Sequence, residues 1–407
     1  SLTFIDSDGA LSDLNGVREF ELISIAGTSA AVSLGSANIL SGTVTIDASA
    51  ADSISFNASA ENADGMFYIA STEVDSVVGT QANDRFEFGS NLTGADTVIG
   101  GNGTDTLRFA DNGVGVDDLD QVRTVELVSI SGGSATIVLG STDIVSGAMT
   151  IDGSSATALN LDASIENSDA LRVFGGSGAD SLIGTQANDT ISAAGGADTL
   201  VGGLGNDLLQ GEDGRDVFVV TTADATAGAA DTFVGGDSLD TLLLSGAGNY
   251  DLTQDSINTV EVIDFGSDGQ TVTMANSMLN DASLQTIDGG AGNDALSLSG
   301  SPVTIDLGLF NKVIVNVESI LGSGAGDSII GTNTVNGTGA DSIYGLGGND
   351  TIDGSSGNDY LSGGDGDDLF ILSGLDHGRD TIDGGAETLG DSIPVDVSAD
   401  VTGLTIT

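Results

Sequence analysis

Residues 175–219 read GGSGADSLI GTQANDTIS AAGGADTLV GGLGNDLLQ GEDGRDVFV, five consecutive blocks of nine. Aspartate is sixth in every block: Asp180, Asp189, Asp198, Asp207 and Asp216. The eighth residue is always apolar: Leu182, Ile191, Leu200, Leu209 and Phe218. Glycine gathers at positions one, two and four. A second row in the same frame carries Asp341, Asp350, Asp359 and Asp368, with Ile343, Ile352, Leu361 and Phe370 in the apolar slot. So short and strict a period predicts a solenoid in which each coil packs only on its neighbours.

Within a block, the first six residues suit a tight turn and the last three a short strand. Glycine permits the positive φ angles and close backbone approach that such a turn needs. Two blocks then close one coil, and residues eighteen apart stack. Asp180 lies over Asp198 and Asp216, Asp189 over Asp207, Asp341 over Asp359, and Asp350 over Asp368. Asp75, Asp84, Asp96 and Asp105 form a comparable row, interrupted by three extra residues near Phe88 to Ser90. Asp231, Asp240, Asp294 and Asp327 occupy partial copies, several without an acidic residue eighteen positions away. Carboxylates and turn carbonyls from adjacent coils form the oxygen-rich shell that Ca²⁺ prefers, whereas Mg²⁺ requires a tighter octahedron. The thirteen aspartates of the three rows are therefore the candidate metal ligands, with multiple Ca²⁺ ions as the cofactor.

A longer repeat of about 105 residues frames these rows. Val17 to Leu22 matches Val122 to Leu127, Thr45-Ile46-Asp47 matches Thr150-Ile151-Asp152, and GTQAND occurs at both 79–84 and 184–189. Val260-Glu261-Val262-Ile263 and Val317-Glu318-Ser319-Ile320 continue the Val-Glu element. Four modules are expected: 1–110, 111–220, a degenerate 221–330, and a C-terminal roll at 331–407. The front halves read as short strands at 21–25, 31–34, 43–47 and 53–57. Alternation assigns Leu22, Val32, Leu34, Val44, Ile46, Ile54 and Phe56 to apolar faces. The fold class expected is all-β, a parallel β-solenoid built of tandem modules.

Composition narrows the partners. The chain has 407 residues, 61 acidic against 8 Lys plus Arg, and a net charge of −53. Binding to a phosphate backbone needs clustered cations, so nucleic acid is excluded as a partner. The same charge disfavours anionic membranes and resists compaction unless cations are bound. Hydrophobic residues make up 39% and alternate regularly, which argues against disorder. There is no cysteine, hence no disulfide framework. No apolar run is long enough to span a membrane as a helix. The opening at Ser1 without Met suggests a piece of a longer or processed polypeptide.

The nonapeptides resemble the repeats-in-toxin (RTX) family of secreted proteins, strongly over 175–219 and 336–371, more weakly over 72–108 and 231–330. Asn336, Ala193-Ala194 and Glu212 depart from the family pattern. The resemblance implies a calcium-binding β-roll, type I secretion and folding in extracellular calcium. The Val-Glu and GTQAND units also resemble those of surface-layer and adhesin proteins.

Catalytic chemistry finds few candidates. The one histidine, His377, would have to serve any Ser-His-Asp site, and H-E-x-x-H is impossible. Lys312 is the one lysine, and no phosphate-binding G-K-[ST] exists. A glycosidase carboxylate pair could be drawn from 61 acids, but with no Trp and four Tyr there are few platforms for sugar. The expectation is a non-enzymatic, calcium-dependent extracellular protein that self-associates into a surface layer, sheath or fibre. An adhesin stalk and the folding region of a larger RTX enzyme or toxin are the alternatives. Cell-surface polysaccharide is a second candidate partner.

Overall fold

The computed structural model describes residues 2–6, 20–34, 42–62, 64–110, 117–119, 121–140, 149–166, 169–226, 229–300, 302–307, 313–331, 341–372, 378–386, 390–393 and 405–406. Asn336, Lys312 and His377 lie outside them. The chain divides into two compact units, Ser1–Asp216 and Val217–Thr407. Each unit is a parallel β-solenoid. Among the described residues, helix is confined to two short segments, Thr222–Thr226 and Asn276–Leu279.

Strand pairing follows from the sequence period. In the first unit Ser181–Ile183 pairs in parallel with Thr199–Val201, and Thr190–Ser192 with Leu208–Gly214, each eighteen residues on. Three-residue strands are what a nine-residue block leaves after its turn. The front halves continue the same columns with longer coils. Leu22–Gly27 pairs with Val44–Ala51, Val44–Ala51 with Met66–Ile69, and Met66–Ile69 with Arg85–Gly89, all parallel. The spacing thus reports a solenoid throughout rather than a sandwich joined to a roll. The longer coils keep the parallel ladder, with register shifts between Ser24 and Ala26 and between Arg108 and Phe109.

The core is a set of apolar columns. In the first unit Ile23, Ile46, Tyr68, Phe86, Leu107, Val128, Ile151, Val173, Ile191 and Leu209 stand in register one above the next. All are buried. In the second unit Val272, Leu296, Ile320, Ile343, Leu361 and Ile382 form an equivalent column. A strand residue faces the core at every second position, so each three-residue strand of the strict rows turns one central apolar residue inward, as Leu182, Ile191 and Leu200 do. Burying one such side chain contributes roughly 1.5–3 kcal/mol before entropy is counted.

One expected face is wrong by a residue. Leu22 was assigned inward by alternation, but Ile23 and Ile25 are buried and Leu22 is half-buried on the other face. The run Leu22-Ile23-Ser24-Ile25 offers two apolar phases. Ser24 decides between them, because the inward phase must exclude its hydroxyl. The other six assignments, Val32, Leu34, Val44, Ile46, Ile54 and Phe56, are all buried.

Two departures from the repeat show how the turn is held. Ala194 and Glu212 stand where the motif has its second glycine, and both keep positive φ, 76° and 73°. Stacking on adjacent coils enforces a conformation that L-residues disfavour by roughly 1–2 kcal/mol. At Gly203, φ is 106°, and a Cβ would overlap the Thr185 carbonyl oxygen of the preceding coil. Gly203→Ala is therefore expected to lower the melting temperature in calcium by several degrees, with a cost above about 1 kcal/mol. Ala194→Gly is expected to leave it unchanged or raise it. Calorimetry of both variants checks this, and equal losses would contradict the assigned turn.

Candidate metal centre

The sixth-position aspartates are not surface turn residues. All thirteen of the expected site aspartates are buried, none more than 4% exposed. Each fold repeat turns its carboxylate back onto the coil before it. The Asp180 N–H donates to Asp198 Oδ1 at 2.7 Å, and the Asp198 N–H to Asp216 Oδ1 at 2.9 Å. Asp189 and Asp207 are joined in the same way at 2.7 Å, as are Asp341 and Asp359, and Asp350 and Asp368, both at 2.8 Å. In the first row the partners are 21 residues apart, Asp75 with Asp96 and Asp84 with Asp105. The expected stacking therefore holds for every row, with the insertion absorbed by the turn.

The first two rows start on residues without a carboxylate. The N–H groups of Ile54, Met66, Leu159 and Leu171 donate to Asp75, Asp84, Asp180 and Asp189. The strand hydrogen bonds run the other way: Thr199 N–H to the Asp180 carbonyl and Leu208 N–H to the Asp189 carbonyl, both 2.9 Å. The aspartate thus belongs to the ladder through its backbone and ties two coils through its side chain.

The second carboxylate oxygen distinguishes two kinds of site. In Asp180, Asp189, Asp75, Asp84 and Asp96 it accepts an N–H from its own turn, donated by Gly176, Thr185, Ser71, Thr80 and Thr93. In Asp105, Asp198, Asp350, Asp359 and Asp368 the Oδ2 atom is buried and accepts no hydrogen bond from the described residues. A buried, half-satisfied carboxylate is costly unless a cation reaches it. Burial is the main reason that Asp105, Asp198 and Asp359 are pushed up to about 7, and Asp189 and Asp350 to about 6. Backbone N–H donors oppose the rise. Neighbouring carboxylates add to it at Asp105, Asp198, Asp350 and Asp359. The ion pairs among the described residues, Arg85–Glu87 at 2.8 Å and Arg108–Glu87 at 3.7 Å, involve partly exposed side chains elsewhere.

The donor set fits a hard cation. At the first glycine of a block, the space a Cβ would fill is taken by an aspartate oxygen and a carbonyl oxygen of the next coil. Asp180 Oδ2 and the Ala193 carbonyl crowd Gly175, and Asp84 Oδ2 and the Gly100 carbonyl crowd Gly79. Carboxylate and main-chain oxygens of this kind are calcium donors. Among the described residues, no three acidic side chains converge as a metal cluster. A metal held here would take main-chain oxygens as well as one carboxylate from each of two coils.

Sequence reasoning missed several members of the ladder. Asp380 accepts the Asp359 N–H and Asp391 the Asp368 N–H, carrying the C-terminal rows one coil further. The partial copies have partners after all: Asp231 with Asp255, Asp327 with Asp350, Asp240 with Glu261 and Asp294 with Glu318. Their separations of 21 to 24 residues escaped a search at eighteen. Glu126 likewise accepts the Asp105 N–H at 2.7 Å. The Val-Glu element, read as a repeat marker, was the available signal.

The pH response of the metal-free protein follows from these carboxyls. Their folded values near 6 to 7 exceed the ordinary 3.8. Between those values the folded state holds more protons than the unfolded chain, so its stability falls as pH rises. Calcium-free protein is expected to gain β-structure by far-UV circular dichroism between pH 7.5 and 5. Saturating calcium should abolish that dependence, and calcium added near pH 6.5 should release protons. A metal-free fold that weakens steadily over the same acidification would overturn the assignment of buried, cation-seeking carboxylates.

The family model for the RTX calcium-binding nonapeptide repeat matches residues 92–111, 174–209, 192–220, 286–300 and 335–370. No curated protein matches the chain. The matched segments contain Asp96, Asp105, all five aspartates of the 175–219 row, Asp294 and all four of the 341–368 row. Their turns and three-residue strands are those of the solenoid described above. The chain thus carries RTX calcium-binding nonapeptide repeats on a parallel β-solenoid, an arrangement that fits an RTX β-roll protein, and such repeats bind calcium ions at multiple sites.

Proposed function

We propose that this chain is a calcium-dependent extracellular structural protein that assembles with copies of itself into a surface layer, sheath or fibre. The observation that carries this reading is the buried carboxylate ladder in both units, whose remaining oxygens call for a cation from the surroundings. The ligands are the thirteen aspartates of the three rows together with turn carbonyls. Calcium bound there ties folding to a calcium-rich compartment, since a ligand held only by the folded state adds RT ln(1 + [L]/Kd) per site. Excess acid on the outer strand faces supplies further carboxylates that calcium can bridge between copies. Cell-surface polysaccharide is the second candidate partner.

A non-enzymatic role is part of the proposal. A recess of about 290 Å³ in the second unit is lined by Asn249, Tyr250, Asp251, Gln254 and Thr273. Its lining holds one carboxylate and no nucleophile–base pair. The ladder aspartates are spent on backbone N–H groups and coil stacking, which leaves them poor proton-transfer groups for a substrate. No helix among the described residues is long and apolar enough to cross a membrane.

An adhesin stalk is the second reading, favoured by coils that each contact only their neighbours. Electron microscopy and sedimentation of the purified chain, in calcium and in chelator, separate the two. Ordered sheets or fibres that disappear on chelation are expected. Dispersed monomers in saturating calcium would reject assembly and favour the stalk.

A further inference from the structure

The Val-Glu element recurs at Glu126, Glu261 and Glu318, and in all three copies the glutamate occupies a rung of the ladder. The N–H groups of Asp105, Asp240 and Asp294 donate to Glu126, Glu261 and Glu318 Oε2 at 2.7, 2.8 and 2.7 Å. These are the bonds that one aspartate makes to the next inside a nonapeptide row. The coil geometry is also the same. At Gly79 a Cβ would meet the Gly100 carbonyl and Asp84 Oδ2; at Gly100 it would meet the Thr124 carbonyl and Asp105 Oδ2. Thr124 therefore holds, one coil on, the place of a first-position glycine.

The turn, however, is shorter. Asp105 comes five positions after Gly100, but Glu126 only two after Thr124. The shortcut is made by a left-handed residue, with φ of 52° at Thr124, 50° at Thr259 and 56° at Asn316. The extra methylene of glutamate then spans what the missing turn residues had supplied. Glutamate is thus the residue type that a two-residue turn needs to present a carboxylate at this rung.

A second observation points to a ligand. Asp105 is fully buried and Asp294 is 1% exposed, and the Oδ2 of each accepts no hydrogen bond from the described residues. At Asp105 that oxygen crowds the same glycine as the Thr124 carbonyl, with the Glu126 carboxylate on the adjoining rung. We propose that Glu126 with Asp105, and Glu318 with Asp294, form calcium sites whose second carboxylate comes from outside the nonapeptide motif. The glutamates extend the metal rows by one coil, to where the chain leaves the nine-residue frame. This inference rests on the calcium reading of the aspartate rows.

Glutamine separates a metal ligand from a plain cap, because its amide oxygen can still accept the Asp105 or Asp294 N–H but carries no charge. Calcium bound per full-length chain is counted by equilibrium dialysis and calorimetric titration for the wild type and for E126Q/E318Q. The expected result is two fewer ions per chain, with the far-UV spectrum in calcium retained and E87Q, on the outer face, unchanged. An unchanged count overturns the proposal and makes the glutamates caps alone. If the double variant loses its fold, the single variants are counted, each expected one ion short; a full complement in either overturns that site. A wild-type chain that binds no calcium would instead reject the underlying reading.

Discussion

Everything in this structure depends on a backbone N–H of one coil donating to a carboxylate of the next. The bond is short, charge-assisted and buried, with Asp180–Asp198 at 2.7 Å as the model case. It fixes the turn against its neighbour at the point where a solenoid is weakest, since turns have no ladder of their own. It also leaves a negative charge inside the protein at every rung. Burial first, and repulsion from neighbouring carboxylates second, push the pKa values of Asp198 and Asp359 up to about 7. The fold therefore contains an electrostatic demand that no ion pair among the described residues meets.

The apolar columns set the limit on how far that demand can be tolerated. Each coil contributes only a few inward side chains, such as Leu182 or Leu200 in the three-residue strands. Their burial offsets conformational entropy without a large surplus. Small changes in the state of the carboxylates can then decide whether a coil is ordered. Because coils interact through nearest neighbours, order gained at one rung favours the next.

Much of this was legible in the sequence. The nine-residue frame gave strand length, coil size, column membership and the pairing of Asp341 with Asp359 or Asp189 with Asp207. Period alone could not reveal rungs separated by unequal loops. Asp240 and Glu261, or Asp294 and Glu318, stand 21 and 24 residues apart because their coils carry extra residues away from the turn that presents the carboxylate. Nor could composition show that a glutamate reaches the place of an aspartate when a left-handed Thr124 shortens the turn. Leu22 was misplaced for a different reason, since two apolar phases compete there and only the seated strand settles which faces inward.

The variable coil size has a consequence for how such a chain can change. Paired strands lie 18 residues apart in the strict rows, 21 between Asp75 and Asp96, and 24 between Asp294 and Glu318, yet the rungs stay in register. The perimeter is elastic, whereas the cross-linked corner is not. Segments can be lengthened or grafted on the outer bends without renumbering the interior. A protein built this way can diversify what it displays while its scaffold stays constant.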